Sequence, residues 1–220
     1  MVDEAAAGAR GGGGKEMQRS AVLGAMVFGI HLCSLSTASA QADPGRMRLM
    51  GLAQFGFGGE VEVNGGDADL EASMGPMARF EAPLAKYFVL GAQFGALFWQ
   101  SEFNDAIGLD RQVMIDFDVV PKVPFVRFAH RRSFTELYAA LPVGFSLSVL
   151  RDQPATIDDV GPGWNIGLLM GVQHYFHNRL GLVGEMGWMR HAGSHDTAGG
   201  GNIDLHFNQF QLQLGLSYLL

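Results

Sequence analysis

From Asn208 onward, large apolar side chains take every second position: Phe210, Leu212, Leu214, Leu216, Tyr218 and Leu220. Gln209, Gln211, Gln213, Gly215 and Ser217 fill the places between. A period of two marks a strand with one apolar and one polar face. The same rhythm predicts seven more strands. Leu49, Ala53, Phe55, Phe57, Val61 and Val63 carry it over about Arg48–Val63, and Met74, Ala78, Phe80 and Ala82 over about Ser73–Ala82. Phe88, Leu90, Ala92, Phe94, Ala96 and Phe98 carry it over about Tyr87–Gln100. Val113, Ile115, Phe117 and Val119 open a strand over about Gln112–Phe128. Further strands follow at about Thr135–Leu150, Trp164–Phe176 and Leu180–Arg190, and the terminal strand starts near Ile203. Two irregularities stand out. Pro121 and Pro124 each remove a ladder donor and mark either a bulge or the start of a turn. Ile203, Leu205 and Phe207 are out of step with Phe210 and its successors, which predicts a bulge or a strand start near Asn208.

The connections alternate in length. Long ones fall near 64–72, 101–111, 151–163 and 191–202, and short ones near Pro83–Lys86, Ala129–Phe134 and His177–Arg179. Eight up-and-down strands with alternating loops and turns form a barrel, and the polar phase indicates which face is inside. A soluble barrel needs a charged outer face. Here that phase is mostly small or amide: Gly91, Gln93 and Gly95; Gly144, Ser146 and Ser148; Gly167, Gly171 and Gln173. Such residues suit a crowded lumen, with the apolar phase turned to lipid. Arg48, Glu60, Arg79, Glu81, Asp116, Asp118, Glu136 and Glu185 share the polar phase. Both signs occur, so a lumen network of Arg79, Asp116, Glu136 and Glu185 is predicted, with Arg79 paired to one of the three carboxylates. Trp99, Trp164 and Trp188 at the loop ends, and Tyr87, Tyr175 and Tyr218 at the turn ends, are the expected interfacial belts.

The amino-terminal residues bear on compartment. Met17, Gln18 and Arg19 make a short basic start, an apolar core runs from about Ala21 to Leu35, and Ala38-Ser39-Ala40 supplies the A-x-A pattern of signal cleavage. Cleavage after Ala40 leaves Gln41 first. A membrane anchor is the alternative, but the core is short and broken by Gly29 and His31. Residues 1–16 are a low-complexity extension with Gly11–Gly14 in a row. They form either a long n-region or sequence upstream of a start at Met17, and the second fits better. Residues 41–220 then make one barrel domain. The lone cysteine, Cys33, lies in the apolar core, without the small residues that precede a lipidated cysteine. The net charge of −7 argues against nucleic acid as a partner. The 31 glycines exceed what soluble strands tolerate.

Over residues 46–220 the pattern resembles the small eight-stranded outer-membrane barrels, of the OmpA transmembrane-domain and OmpX type. Phe80-Glu81-Ala82-Pro83-Leu84 and Leu137-Tyr138-Ala139-Ala140-Leu141-Pro142-Val143-Gly144 are similar to segments common in them. The resemblance implies the outer membrane of a Gram-negative envelope, reached by export through the periplasm. It also implies lipid and lipopolysaccharide as surroundings, handling by the barrel assembly machinery, a monomer, and no cofactor. Barrels of this kind usually end on an aromatic residue, whereas this sequence ends Tyr218-Leu219-Leu220.

Candidate chemistry is confined to Arg190-His191-Ala192-Gly193-Ser194-His195-Asp196. Ser194, His191 and Glu185 form a conceivable nucleophile, base and orienter, as in a lipid A deacylase-like hydrolase, though that motif is His-x-Ser and does not match. His191, His195, Asp196 and His206 form a conceivable metal set. The simpler expectation is a polar external loop without catalytic or metal role. His130, His174 and His177 lie near the turns, beside Arg131 and Arg132. The expected function is structural or surface-interacting through four external loops. The alternatives are a narrow channel of the OmpW type for small or hydrophobic solutes, the hydrolase, and a secreted lipid binder.

Overall fold

The computed structural model describes residues 46–63, 66–70, 72–99, 112–130, 133–150, 157, 160–176 and 179–220. Among these lie ten strands: β1 (Arg48–Val63), β2 (Gly66–Asp69), β3 (Ser73–Ala85), β4 (Phe88–Trp99), β5 (Gln112–His130), β6 (Ser133–Ala140), β7 (Val143–Val149), β8 (Val160–Phe176), β9 (Leu180–Asp196) and β10 (Asn202–Leu219). All pairings are antiparallel, and β10 pairs with β1 to close the sheet into a ring of eight strands. Closure leaves the eight-stranded ring itself without an open edge.

Ten strands make eight ring positions for two reasons. First, β2 folds back on the far end of β1, Gly66 against Val63 and Asp69 against Glu60, and adds a hairpin above the ring. Second, β6 and β7 occupy one position, both lying between β5 and β8. The break at Leu141–Pro142 shifts no register. Lys122 faces Ala140 and Val119 faces Val143, and the Leu141 N–H still donates to the Pro121 carbonyl at 2.9 Å. Pro142 accepts from the Gly167 N–H at 2.8 Å but has no N–H to return.

The prolines of β5 resolve as a bulge. The register slips between Pro124 and Val126, and the strand then continues to His130. A second slip lies between Pro83 and Ala85. The third corrects the expectation of a bulge at Asn208. β10 runs unbroken, and the extra residue is on its partner, where Phe57 faces Phe210 and Gly59 faces Gln209. Gly58 is that residue, with φ of 57°, a left-handed conformation that glycine adopts without steric cost. The bulge swaps the inward phase of β1. Met50, Leu52 and Gln54 point in below it, and Val61 points in above it. Val61 is therefore a lumen residue, and Glu60 is exposed on the outer face.

The fourth connection also differs from expectation. β9 extends to Asp196 and β10 begins at Asn202, so the stretch expected to be a loop over 191–202 is mostly ladder closed by a tight turn. Elsewhere the outer face is apolar around the ring: Leu49, Phe80, Phe94, Phe117, Phe145, Leu168, Met186 and Leu214 are all exposed. A contiguous apolar band of this extent has no stable place in water and is covered by lipid hydrocarbon.

Candidate functional site

The lumen holds the chemistry of this molecule, and it is stacked in layers. At the turn end, β1, β3, β5 and β6 each send one ionic side chain inward: Arg48, Glu81, Lys122 and Glu136, all buried. Arg48 reaches Glu136 at 2.9 Å and Glu81 at 3.4 Å, and Lys122 reaches Glu81 at 3.1 Å and Glu136 at 3.6 Å. Each cation thus lies between two carboxylates. Arg127 adds a third cation to Glu136 at 2.7 Å. Gln173 from β8 accepts from both Arg48 and Lys122, and Tyr175 and Ser217 share a hydrogen bond at 2.8 Å. A buried charge costs least when paired and hydrogen-bonded, and each cation of this layer has at least one carboxylate partner.

The middle layer is built around Arg79. Its Nη1 and Nη2 donate to the two oxygens of Glu185 at 2.6 and 2.8 Å, its Nε to Gln93 at 2.9 Å, and Nη2 also to Gln213 at 3.1 Å. This is the bidentate fork that a guanidinium forms with a carboxylate. The Tyr138 hydroxyl donates to Glu185 at 2.6 Å, and Lys122 Nζ lies 3.6 Å from the centre of the Tyr138 ring. That ring covers Gly171, its cross-strand partner. A Cβ at 171 would come within 2.4 Å of the ring, so only glycine leaves the ring its place.

Gln93 links this layer to the next by donating to Asp118 at 2.5 Å. Asp116 accepts from Ser146 at 2.6 Å and Asn165 at 3.1 Å, and lies 3.2 Å from His191 Nε2. The His191 ring stacks on Phe207 at 4.6 Å, and Phe207 meets Trp99 at 5.4 Å. There the lumen turns apolar: Val61, Leu70, Leu97, Trp99, Met114 and Phe207 form one buried cluster at the loop end.

The four residues expected to form one network therefore lie in one column but not in one contact. Arg79 pairs with Glu185, while Glu136 belongs to the turn-end layer and Asp116 to the His191 layer. Arg48 and Glu81, expected on the inward phase, join the network, and Lys122, Arg127 and Tyr138 complete it without having been expected there. Lys122 shares the parity of Asp116 and Asp118, and that was the available signal beyond Pro121. Two belt residues are corrected. Trp99 is 3% exposed and Tyr175 fully buried, both inside the lumen, because each is in phase with the inward residues of its own strand, Gln93 and Gln173. Trp164, Trp188, Tyr87 and Tyr218 lie outside and exposed.

The candidate chemistry does not assemble. Ser194 is three positions from His191, so it faces outward while His191 and Glu185 face inward. Glu185 is also six residues from His191, about 20 Å along a strand, and is engaged by Arg79. His191 and His195 point inward about 13 Å apart, while Asp196 and His206 lie on the other face. Among the described residues no group of His, Cys, Asp and Glu is placed to hold a metal. His174 lies outside near the turns, 2.8 Å from the Thr135 hydroxyl. Residues 1–40, with the signal segment and the Ala40–Gln41 cleavage position, and residues 131, 132 and 177 lie outside the described residues. So does the His130 side chain.

No protein-family model matches the sequence, and no curated protein matches it either. Its shape does find relatives. The outer membrane protein OprG from Pseudomonas aeruginosa superimposes with a TM-score of 0.54 at 9% identity, over 80% of this chain and 96% of that one. The fold is that of the small outer-membrane β-barrels. Neisserial surface protein A gives 0.48 at 11% identity, over 79% and 97%. The assignment rests on the first of these, and at such identities it concerns the fold alone.

Proposed function

We propose that this chain is an integral outer-membrane barrel with a sealed lumen, acting structurally or through surface contacts at its loop end rather than as a conduit or an enzyme. The observation that carries the proposal is the filling of the lumen. At the turn end every ring position contributes a buried inward residue: Arg48, Glu81, Val89, Lys122, Glu136, Gln173, Val183 and Ser217. Narrow barrels are packed by their own side chains in this way, and an aqueous pore needs a wider ring. The outward apolar band supports lipid as the surroundings, and lipopolysaccharide as the outer-leaflet partner. The long connections would then face the exterior and the short turns the periplasm, an orientation that suits assembly from the periplasmic side as a monomer.

The test is conductance in a planar bilayer. The purified protein, shown to be folded by a heat-modifiable gel shift, is expected to give no unitary current above the bare membrane. Steady single-channel openings would replace this proposal with the channel alternative. Recovery of the protein as a soluble periplasmic species would overturn the membrane assignment itself.

A further inference from the structure

Arg190 is a cation set beside exposed apolar side chains on the outer face. Among the described residues it is the one arginine or lysine that faces outward at the loop end, since Arg46, Lys86, Arg127 and Arg179 lie at the turn end. Its neighbours across the strands are Ile166 on β8 and Asn208 on β10. Its guanidinium carbon lies 6.0 Å from the centre of the Trp164 ring. One row nearer the middle of the barrel, Trp188 lies between Leu168 and Phe210, 57% exposed and edge-on to Phe210 at 5.8 Å. Arg190 thus sits beside the point where the outward row of β10 turns from Phe210 to Asn208, His206 and Asp204, while β8 carries Trp164 and Val160 further toward the loops. No carboxylate of the described residues pairs with it. Glu60 lies beyond Asn208, one strand further round.

A guanidinium at the edge of a hydrocarbon layer is stable when it meets an anion there, and the anions at that level are lipid phosphates. We propose that Arg190, Trp164 and Asn208 form a binding site for the phosphorylated headgroup of an outer-leaflet glycolipid. The guanidinium fork donates two N–H groups to the phosphate. The Trp164 ring stabilises the cation through its π face and offers a flat apolar surface to the sugar. The Asn208 amide is a further donor beside it. Ile166, Leu168, Trp188 and Phe210 continue downward as the surface for acyl chains. The acidic Glu60 on β1 repels a phosphate, so it approaches over β8. This inference rests on the loop end facing the outer leaflet.

The test uses the purified full-length protein, reconstituted into phosphatidylcholine vesicles containing a minor fraction of bisphosphorylated lipid A, re-extracted in mild detergent, and analysed by native mass spectrometry for retained lipid. Wild type is expected to retain lipid A, and to retain the dephosphorylated form about fivefold less. Arg190→Ala is expected to show the same loss of about fivefold, Trp164→Leu a smaller loss, and Glu60→Gln none. Millimolar inorganic phosphate is expected not to displace the lipid. Equal retention of both lipid forms by wild type, or full retention by Arg190→Ala, would overturn the site. Displacement by inorganic phosphate would make it a free-anion site instead. If Arg190→Ala fails to fold, the two lipid forms on wild type decide alone. Protein that inserts in vesicles without the phosphate preference fails this inference only, whereas protein that does not insert fails the barrel proposal too.

Discussion

Arg79 ties four strands together, its fork joining Glu185 on β9, Gln93 on β4 and Gln213 on β10 to β3. Removing it leaves Glu185 buried with the Tyr138 hydroxyl as its remaining close donor. An uncompensated buried carboxylate costs about 3–5 kcal/mol, whereas an apolar replacement of the whole pair is often neutral. Arg79→Met is therefore expected to lower the unfolding free energy in detergent by about 3 kcal/mol. Arg79→Met with Glu185→Met should regain most of that loss. Urea unfolding followed by the heat-modifiable shift measures both. Equal losses in the single and double variants would mean that the fork is held by packing rather than by charge.

At the scale of the strand, the bulge at Gly58 decides which residues enter the lumen. Gly58 is the one residue of β1 without a partner on β10, and the pairs on either side of it, Phe57 with Phe210 and Gly59 with Gln209, become consecutive once it is removed. Deleting Gly58 is therefore expected to leave Val61 inward, Glu60 outward and the gel shift intact. Deleting Gln54, which does have a partner, shifts every β1 residue on one side of it to the wrong face and should abolish the folded band. Folding of both deletions, or of neither, would contradict the register. The same element shows what the sequence makes legible. Strand number, the alternation of loops and turns, and the outward band follow from period-two runs of residues such as Phe94, Leu168 and Leu214. The sequence points to a slip at Asn208 only when Leu205 and Phe207 are read as outward for being apolar. They face inward because the loop end of the lumen is itself apolar. Trp99 and Tyr175 are expected in the belts because they are aromatic rings at strand ends, whereas parity within each strand places them inward. Which carboxylate pairs with Arg79 depends on the stagger of strands far apart in sequence, and no local pattern carries that.

For the molecule as a whole, the sealed lumen proposed above would be closed by barriers in series, the ionic layers below and the Trp99–Phe207 cluster above. His191 touches both, with Nε2 toward Asp116 and its ring on Phe207. Current through barriers in series is set by the tightest one, so opening a single layer leaves the barrel insulating. Trp99→Ala with Phe207→Ala removes two of the largest rings of the upper cluster, and each such truncation costs about 3–5 kcal/mol, so the folded band must be verified before recording. That variant is expected to show no more current than wild type in a planar bilayer, because Arg48, Lys122 and Arg79 still cross the lumen below. Arg48→Ala with Lys122→Ala, which thins the lower layer and leaves the aromatic cluster, is likewise expected to stay closed. Conduction should require all of these layers to be opened, the Arg79–Glu185 fork included. Current from the aromatic variant alone would place the whole barrier in the apolar cluster and leave the ionic column a structural support around water.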